Sequence, residues 1–158
     1  MTIAPKLQHY LDRRGVVYEI VPHVPTATAL EIARVCHIPA ERLAKAVLLD
    51  TDDDYLLAVL PSDRRVDLDE LGEEFGAQPH LAQERDLASV FDDCAPGAVP
   101  ALGVGYGVAT IVDDSLEAQP DVYFEGGDHA TLIHMEQSEF ARLTEQARHG
   151  RFSEPVDG

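Results

Sequence analysis

Residues 45–61, KAVLLDTDDDYLLAVLP, hold two apolar runs joined by an acidic segment around Thr51 to Asp54. Each run has the length of a strand and the join is built of residues that favour reversal, so the pattern predicts a β-hairpin. Both runs are nearly continuous in apolar character, as in strands covered on both faces, which places the pair at the centre of a sheet or in the wall of a barrel. Lys45 stands apart: a charged amine that opens an apolar strand must be paired, reach water along its stem, or have a task.

Outward from the hairpin, helices and strands mix. Ile3, Leu7, Tyr10 and Leu11 recur at helical spacing over 3–14, with Gly15 as the stop. VVYEIV at 16–21 reads as a strand closed by Pro22, and Thr28-Ala29-Leu30-Glu31 fits a capping box opening a helix to about Val35. Beyond the hairpin, 67–76 and 82–91 carry helical patterns separated by an extended piece at Ala77 to Leu81. VATIVDD, DVYFEGG and ATLIHM read as strands, with Gly126-Gly127-Asp128 turning between the last two. A last helix is expected from about Glu136 to His149, with Phe140, Leu143 and Ala147 as its buried stripe. This order indicates an α+β domain over 1–150, and the final RFSEPVDG, 151–158, reads as a flexible tail.

With 158 residues, 45% of them hydrophobic, the chain can bury a core without staples, and no apolar run approaches the ~20 residues that span a bilayer. Two cysteines, Cys36 and Cys94, form no disulfide framework, so a soluble protein of the cytoplasm is expected. The net charge of −17, with Lys6 and Lys45 as the only lysines, excludes a broad basic face for duplex DNA.

Residues 93–107, DCAPGAVPALGVGYG, carry four glycines and two prolines and belong to neither helix nor sheet interior. Such a segment can turn several backbone N–H groups toward one oxygen, or simply connect two strands. Other chemistries lack their signatures. H-E-x-x-H is absent from the seven histidines, no serine sits in G-x-S-x-G, and Cys94 lies beside Asp92 and Asp93, which disfavour its thiolate. Neither a phosphate-binding P-loop nor G-x-G-x-x-G is present. No metal and no cofactor is expected.

The segment HVPTATALEIA from His23, the lone lysine of AKAVLL, the loop PGAVPALG and the turn YFEGGDHATLIHM occur in an order that resembles the YbaK/prolyl-tRNA-synthetase-associated domain family. The resemblance spans roughly residues 15 to 145 and implies a mixed, barrel-like sheet surrounded by helices. It implies a metal-independent hydrolase that cleaves the ester of misacylated aminoacyl-tRNA, with the tRNA acceptor end, and an aminoacyl-tRNA synthetase, as partners. By position, Lys45 and Gly97 take the catalytic places, while Thr28, Val99, Ala101, Leu102, Gly103 and His129 take substrate-binding ones. Two departures stand out. The family's Gly-x-x-x-Pro would put proline at Ala101, whereas here it is Pro100, and Asp128 adds a negative charge where a small polar residue is common.

The implied mechanism is attack of water on the ester carbonyl, helped by a ribose hydroxyl, with loop N–H groups orienting the carbonyl and no covalent intermediate. A non-catalytic module that binds aminoacyl-tRNA or a synthetase, and a hydrolase of small esters, are the other readings open at this stage.

Overall fold

The computed structural model describes residues 3–26, 28–52, 54–75 and 78–156. The first half of the chain runs α1 (Pro5–Arg14), β1 (Glu19–Pro22), α2 (Ala29–Val35), β2 (Ala44–Asp50), β3 (Tyr55–Pro61), β4 (Arg64–Val66), α3 (Leu68–Phe75) and β5 (His80–Leu81). The second runs α4 (Glu84–Val90), β6 (Ala109–Asp113), β7 (Asp121–Glu125), β8 (Thr131–Glu136), α5 (Gln137–Leu143), β9 (Arg148–Gly150) and β10 (Ser153–Pro155).

The predicted hairpin is present: β2 and β3 pair antiparallel from Ala44 opposite Pro61 to Asp50 opposite Tyr55. They sit inside a five-stranded sheet of order β5-β2-β3-β6-β9, in which β3 and β6 run parallel. Continuous apolarity has the expected cause. Leu57 and Val59 of β3 enter a large core with Phe91, Phe124 and Phe140, while Leu56, Ala58 and Leu60 point the other way into a second core with Leu71, Ile111 and Phe152.

The remaining strands form a three-stranded sheet of order β1-β8-β7 and a two-stranded ribbon of β10 and β4. A barrel-like sheet is therefore corrected to three sheets, with no closed barrel among the described residues. The large sheet meets the three-stranded one through a single parallel bridge, Leu43 to Tyr123, rather than a continuous ladder. Ile32 and Ala33 of α2 cover that junction, packing with Leu43 and Leu132.

Local signals explain most boundaries. Pro5 starts α1 and Gly15, at φ 63°, ends it in the left-handed region. The Thr28 hydroxyl accepts the Glu31 N–H at 3.2 Å, but the Glu31 carboxylate turns to Arg34, so only half of the capping box forms. The first strand begins at Glu19 rather than 16, leaving Val17 exposed. Parts of three expectations, at Ala77, at Gly76 and at Asp53 of the hairpin turn, lie outside the described residues.

The C-terminal region differs most. The last helix stops at Leu143, where the Thr144 N–H at 3.0 Å and hydroxyl at 2.9 Å both donate to the Phe140 carbonyl, and 148–150 then joins β6 as a parallel strand. Nor is the segment after 151 loose. Phe152 is fully buried, Ser153–Pro155 pairs with β4, and the Arg64 guanidinium donates to the Ser153 hydroxyl at 2.7 Å and carbonyl at 2.9 Å. A tail that looks polar is thus held by one aromatic plug, with only 157 and 158 outside the described residues. Phe152→Ala should lower unfolding free energy by about 3–5 kcal/mol, the usual cost of emptying a buried phenylalanine site. Denaturant titration would measure it, and a loss below about 1 kcal/mol would return the segment to the flexible tail.

Candidate functional site

One pocket of about 290 Å³ opens where α2, β2, the loop after α4 and the turn between β7 and β8 meet. Its floor is apolar, from Ala44, Ala46 and Leu48 of β2 with Ile32, Ala82 and Leu87. Its rim and polar wall contain Thr26, Thr28, Lys45, Gly97, Val99, Glu125 and His129.

Lys45, Gly97, Val99, His129 and Thr28, far apart in sequence, are therefore brought to one cavity. Ala101, Leu102 and Gly103 are not. Ala101 and Leu102 are buried in the large core, and Gly103 lies against Thr110 and the Val108 carbonyl, so these three shape the loop from behind. None of the three lines the pocket. Pro100, one place early for the family pattern, is buried alongside them.

The loop's working part is a tight turn. Ala98 N–H donates to Ala95 O at 3.1 Å across Pro96 and Gly97, and Gly97 stands at φ 80°, a conformation that glycine adopts without strain. Turn formation consumes the Ala98 N–H. The Val99 N–H has no hydrogen-bond partner among the described residues and belongs to a residue of the pocket wall.

The facing turn is fixed from three sides. Ala4 N–H donates to Gly126 O at 2.8 Å, Ala95 N–H to Gly127 O at 2.7 Å and His23 N–H to Ala130 O at 2.8 Å. His129 itself has φ 63°, a left-handed conformation uncommon outside glycine that histidine, like asparagine and aspartate, adopts more readily than most residues. Asp128 spends its charge locally: its carboxylate accepts from Ala130 N–H at 3.0 Å and the Thr131 hydroxyl at 2.9 Å, and it does not line the pocket.

Lys45 is half-buried beside this cavity, and burial pushes its pKa down from the ordinary 10.5, with Asp63 pulling partly back. Among the described residues its ammonium makes no ion pair within 4.0 Å. Behind the loop, burial pushes the Cys94 thiol up to about 12, and its neighbour Asp93 adds to the effect, so Cys94 stays protonated at neutral pH. Metal-ligating side chains do gather at Asp114, Glu117 and His149, but none of these lines the pocket.

Residues 23–143 match the aminoacyl-tRNA editing domain. The chain belongs to this family. No curated protein sequence matches it. Among solved structures, it superposes on the hypothetical protein APE2540 with a TM-score of 0.84 at 22% identity, covering 94% of this chain and 99% of that one. A structure described as a proposed trans-editing enzyme for prolyl-tRNA synthetase gives 0.83 at 23%, covering 96% of each chain. A proposed signal-transduction protein from Marinobacter aquaeolei VT8 gives 0.76 at 24%, over 96% of this chain and 30% of that one. These likenesses establish a shared editing-domain fold.

The sequence reading missed Glu125, whose carboxylate sits in the pocket wall. Its Oε1 lies 2.8 Å from His23 Nε2, and Oε2 lies 3.4 Å from His129 Nδ1. Glu125 is the last residue of a strand, and nothing local separates it from a solvated strand-end charge. Only the register with β8, which sets Glu125 opposite Leu132, turns it inward.

Gly127 carries the turn. It holds φ 105°, and an added Cβ would stand 2.6 Å from the Ala4 Cβ. Gly127→Ala should cost about 1–3 kcal/mol through strain, and amide spectra should shift around residues 95 and 129 as well as at the substitution. A melting temperature equal to wild type with shifts confined to the turn would show that this contact positions nothing.

Proposed function

We propose that this protein is a free-standing trans-editing deacylase, hydrolysing without a metal the ester that joins a wrongly attached amino acid to the terminal ribose of tRNA. The observation that carries this reading is one pocket, in an editing domain, walled by Lys45, the Gly97–Val99 turn and His129. The Lys45 ammonium places the terminal nucleotide through its phosphate or ribose. The Val99 N–H, with no internal partner, polarises the ester carbonyl. Water attacks from the open side, aided by a ribose hydroxyl, and catalysis is positional and electrostatic. A cavity of about 290 Å³ with a floor of alanines suits a small amino acid such as alanine or serine. The partner is the acceptor end of a tRNA in the cytoplasm. Likeness to the structure described for prolyl-tRNA synthetase makes that enzyme the first synthetase to test as an associate.

Single-turnover deacylation across a panel of misacylated tRNAs tests this. At least one tRNA carrying a small wrong amino acid should be deacylated while matched pairs persist. No acceleration over buffer by folded protein would leave a binding module as the better reading. Gly97→Val should lower turnover by about 10²- to 10³-fold, the usual cost of one lost donor, because a β-branched residue strains the positive φ and misdirects the turn. A folded variant at wild-type rate would remove the loop from the mechanism.

Lys45→Ala should lose activity without lowering the melting temperature, since burial already disfavours the charge it removes. Lys45→Arg should not restore it, since a planar fork has a different reach from a point charge. The sign of the pH effect follows from the depressed amine. Above the ordinary value of 10.5 the folded and unfolded forms are both neutral and the stability contribution is complete; it is lost as pH falls through the lower folded value. Activity runs the other way, falling on the alkaline side before an ordinary lysine would titrate. Full activity in Lys45→Ala would refute the assignment.

With a net charge of −17, contact with RNA is confined to the acceptor end. The log-log salt dependence of binding should show a slope of a few phosphates, each contributing about 0.7 to 0.9, and a slope near ten would reveal an extended basic surface.

A further inference from the structure

Three side-chain atoms in the pocket wall are buried and have no hydrogen-bond partner: Glu125 Oε2, His129 Nδ1 and Thr26 Oγ1. Buried polar atoms are nearly always satisfied, so three orphans around one cavity mark where a ligand supplies the missing partners. Glu125 is 9% exposed. Its other oxygen is committed: the His23 ring is itself held by Nδ1–H donating to the Val24 carbonyl at 3.0 Å, and its Nε2 lies 2.8 Å from Oε1. That bond fixes the carboxyl plane and leaves Oε2 as a pure acceptor. His129 does not satisfy it, because at 3.4 Å neither atom makes a hydrogen bond and the two stand side by side at the cavity.

We propose that Glu125 Oε2 is the acceptor for a primary ammonium, the α-ammonium of the amino acid on the ester, with Thr26 Oγ1 and His129 Nδ1 as further acceptors. This rests on the editing reading. An ammonium has three donors, no acceptor and a positive charge, which matches a wall of acceptor-capable atoms containing one carboxylate. The neighbouring geometry fits: the Gly97 turn, which meets the ester carbonyl, lies against the His129 ring, and in an aminoacyl ester the ammonium is one carbon from that carbonyl. N-acylated esters, peptidyl-tRNA among them, lack the charge and are refused, so the pocket reads the free amino group as well as the side chain.

The test uses two non-hydrolysable probes of the tRNA end, 3′-deoxy-3′-(L-alanylamido)adenosine and its L-lactoyl counterpart, in which a hydroxyl replaces the ammonium. Wild type should bind the alanyl probe about tenfold or more tighter by calorimetry, as a charged hydrogen bond warrants. Glu125→Gln keeps a bond to His23 and should bring the two affinities together while its melting temperature and amide spectrum remain near wild type. Equal affinities in wild type, or an unchanged ratio in Glu125→Gln, would overturn the proposal and leave editing intact. The latter is the result expected if Glu125 only accompanies His129. If neither nucleoside probe binds, the editing reading fails, and the ammonium site is judged alone by titrating L-alaninamide against L-lactamide. A saturable shift of the Glu125 carboxyl carbon with the first and not the second supports the site, and no shift with either overturns it.

Discussion

The 2.7 Å hydrogen bond from Ala95 N–H to Gly127 O fixes the relation between two loops that share no strand. One leads from α4 into the Pro96–Gly97 turn, and the other joins β7 to β8. The bond forms only because Gly127 has no side chain, since a Cβ there would meet Ala4 and Cys94. Around it, Ala4 and Gly126 pair on one side and the partly buried Cys94 lies on the other. This contact joins the loop that carries Val99 to the turn that carries His129. α1 takes part although it supplies nothing to the pocket: Lys6 pairs with Asp92 at 2.7 Å, and its own N–H donates to Asp93 at 2.8 Å, tying the helix to the segment just before the loop.

Elements whose apolar pattern is local were legible in the sequence. The hairpin of β2 and β3, the Thr28 cap and strands β6 to β8 follow from periodicity and turn residues alone. Where a long-range partner decides the structure, the sequence was silent or misleading. Residues 148–150 look like the end of a helix until β6 offers a parallel edge, and Phe152 looks like a tail residue until the second face of the large sheet needs filling. Closure of a barrel is likewise a property of sheet edges, which no single strand encodes.

The site shows the same division. Lys45 and Gly97 stood out because each contradicts its surroundings, a charge at the start of an apolar strand and a glycine after proline in a loop. Ala101, Leu102 and Gly103 follow the tight turn at 95–98 without lining the pocket, and the side chains of Ala101 and Leu102 pack in the large core. Glu125 was missed because its environment comes from His23, 102 residues earlier in the chain. Histidines illustrate how little residue type alone decides. His134, stacked on Tyr123 and held between Glu19 at 2.7 Å and Asp121 at 2.8 Å, braces three strands, whereas His129, five residues before it, faces the cavity.

Lys45 and Glu125 are both placed where burial is unfavourable to charge, and the fold treats them differently. Glu125 has a partner in His23, so its geometry is set before any ligand arrives. Lys45 has no ion-pair partner within reach among the described residues, and its depressed pKa records a folded state that gains little from the charge. At the edge of a pocket on a strongly acidic protein, the group that such an ammonium favours most is an anion. Lys45 is the one lysine or arginine among the described residues that line that pocket, so local and overall charge oppose each other there.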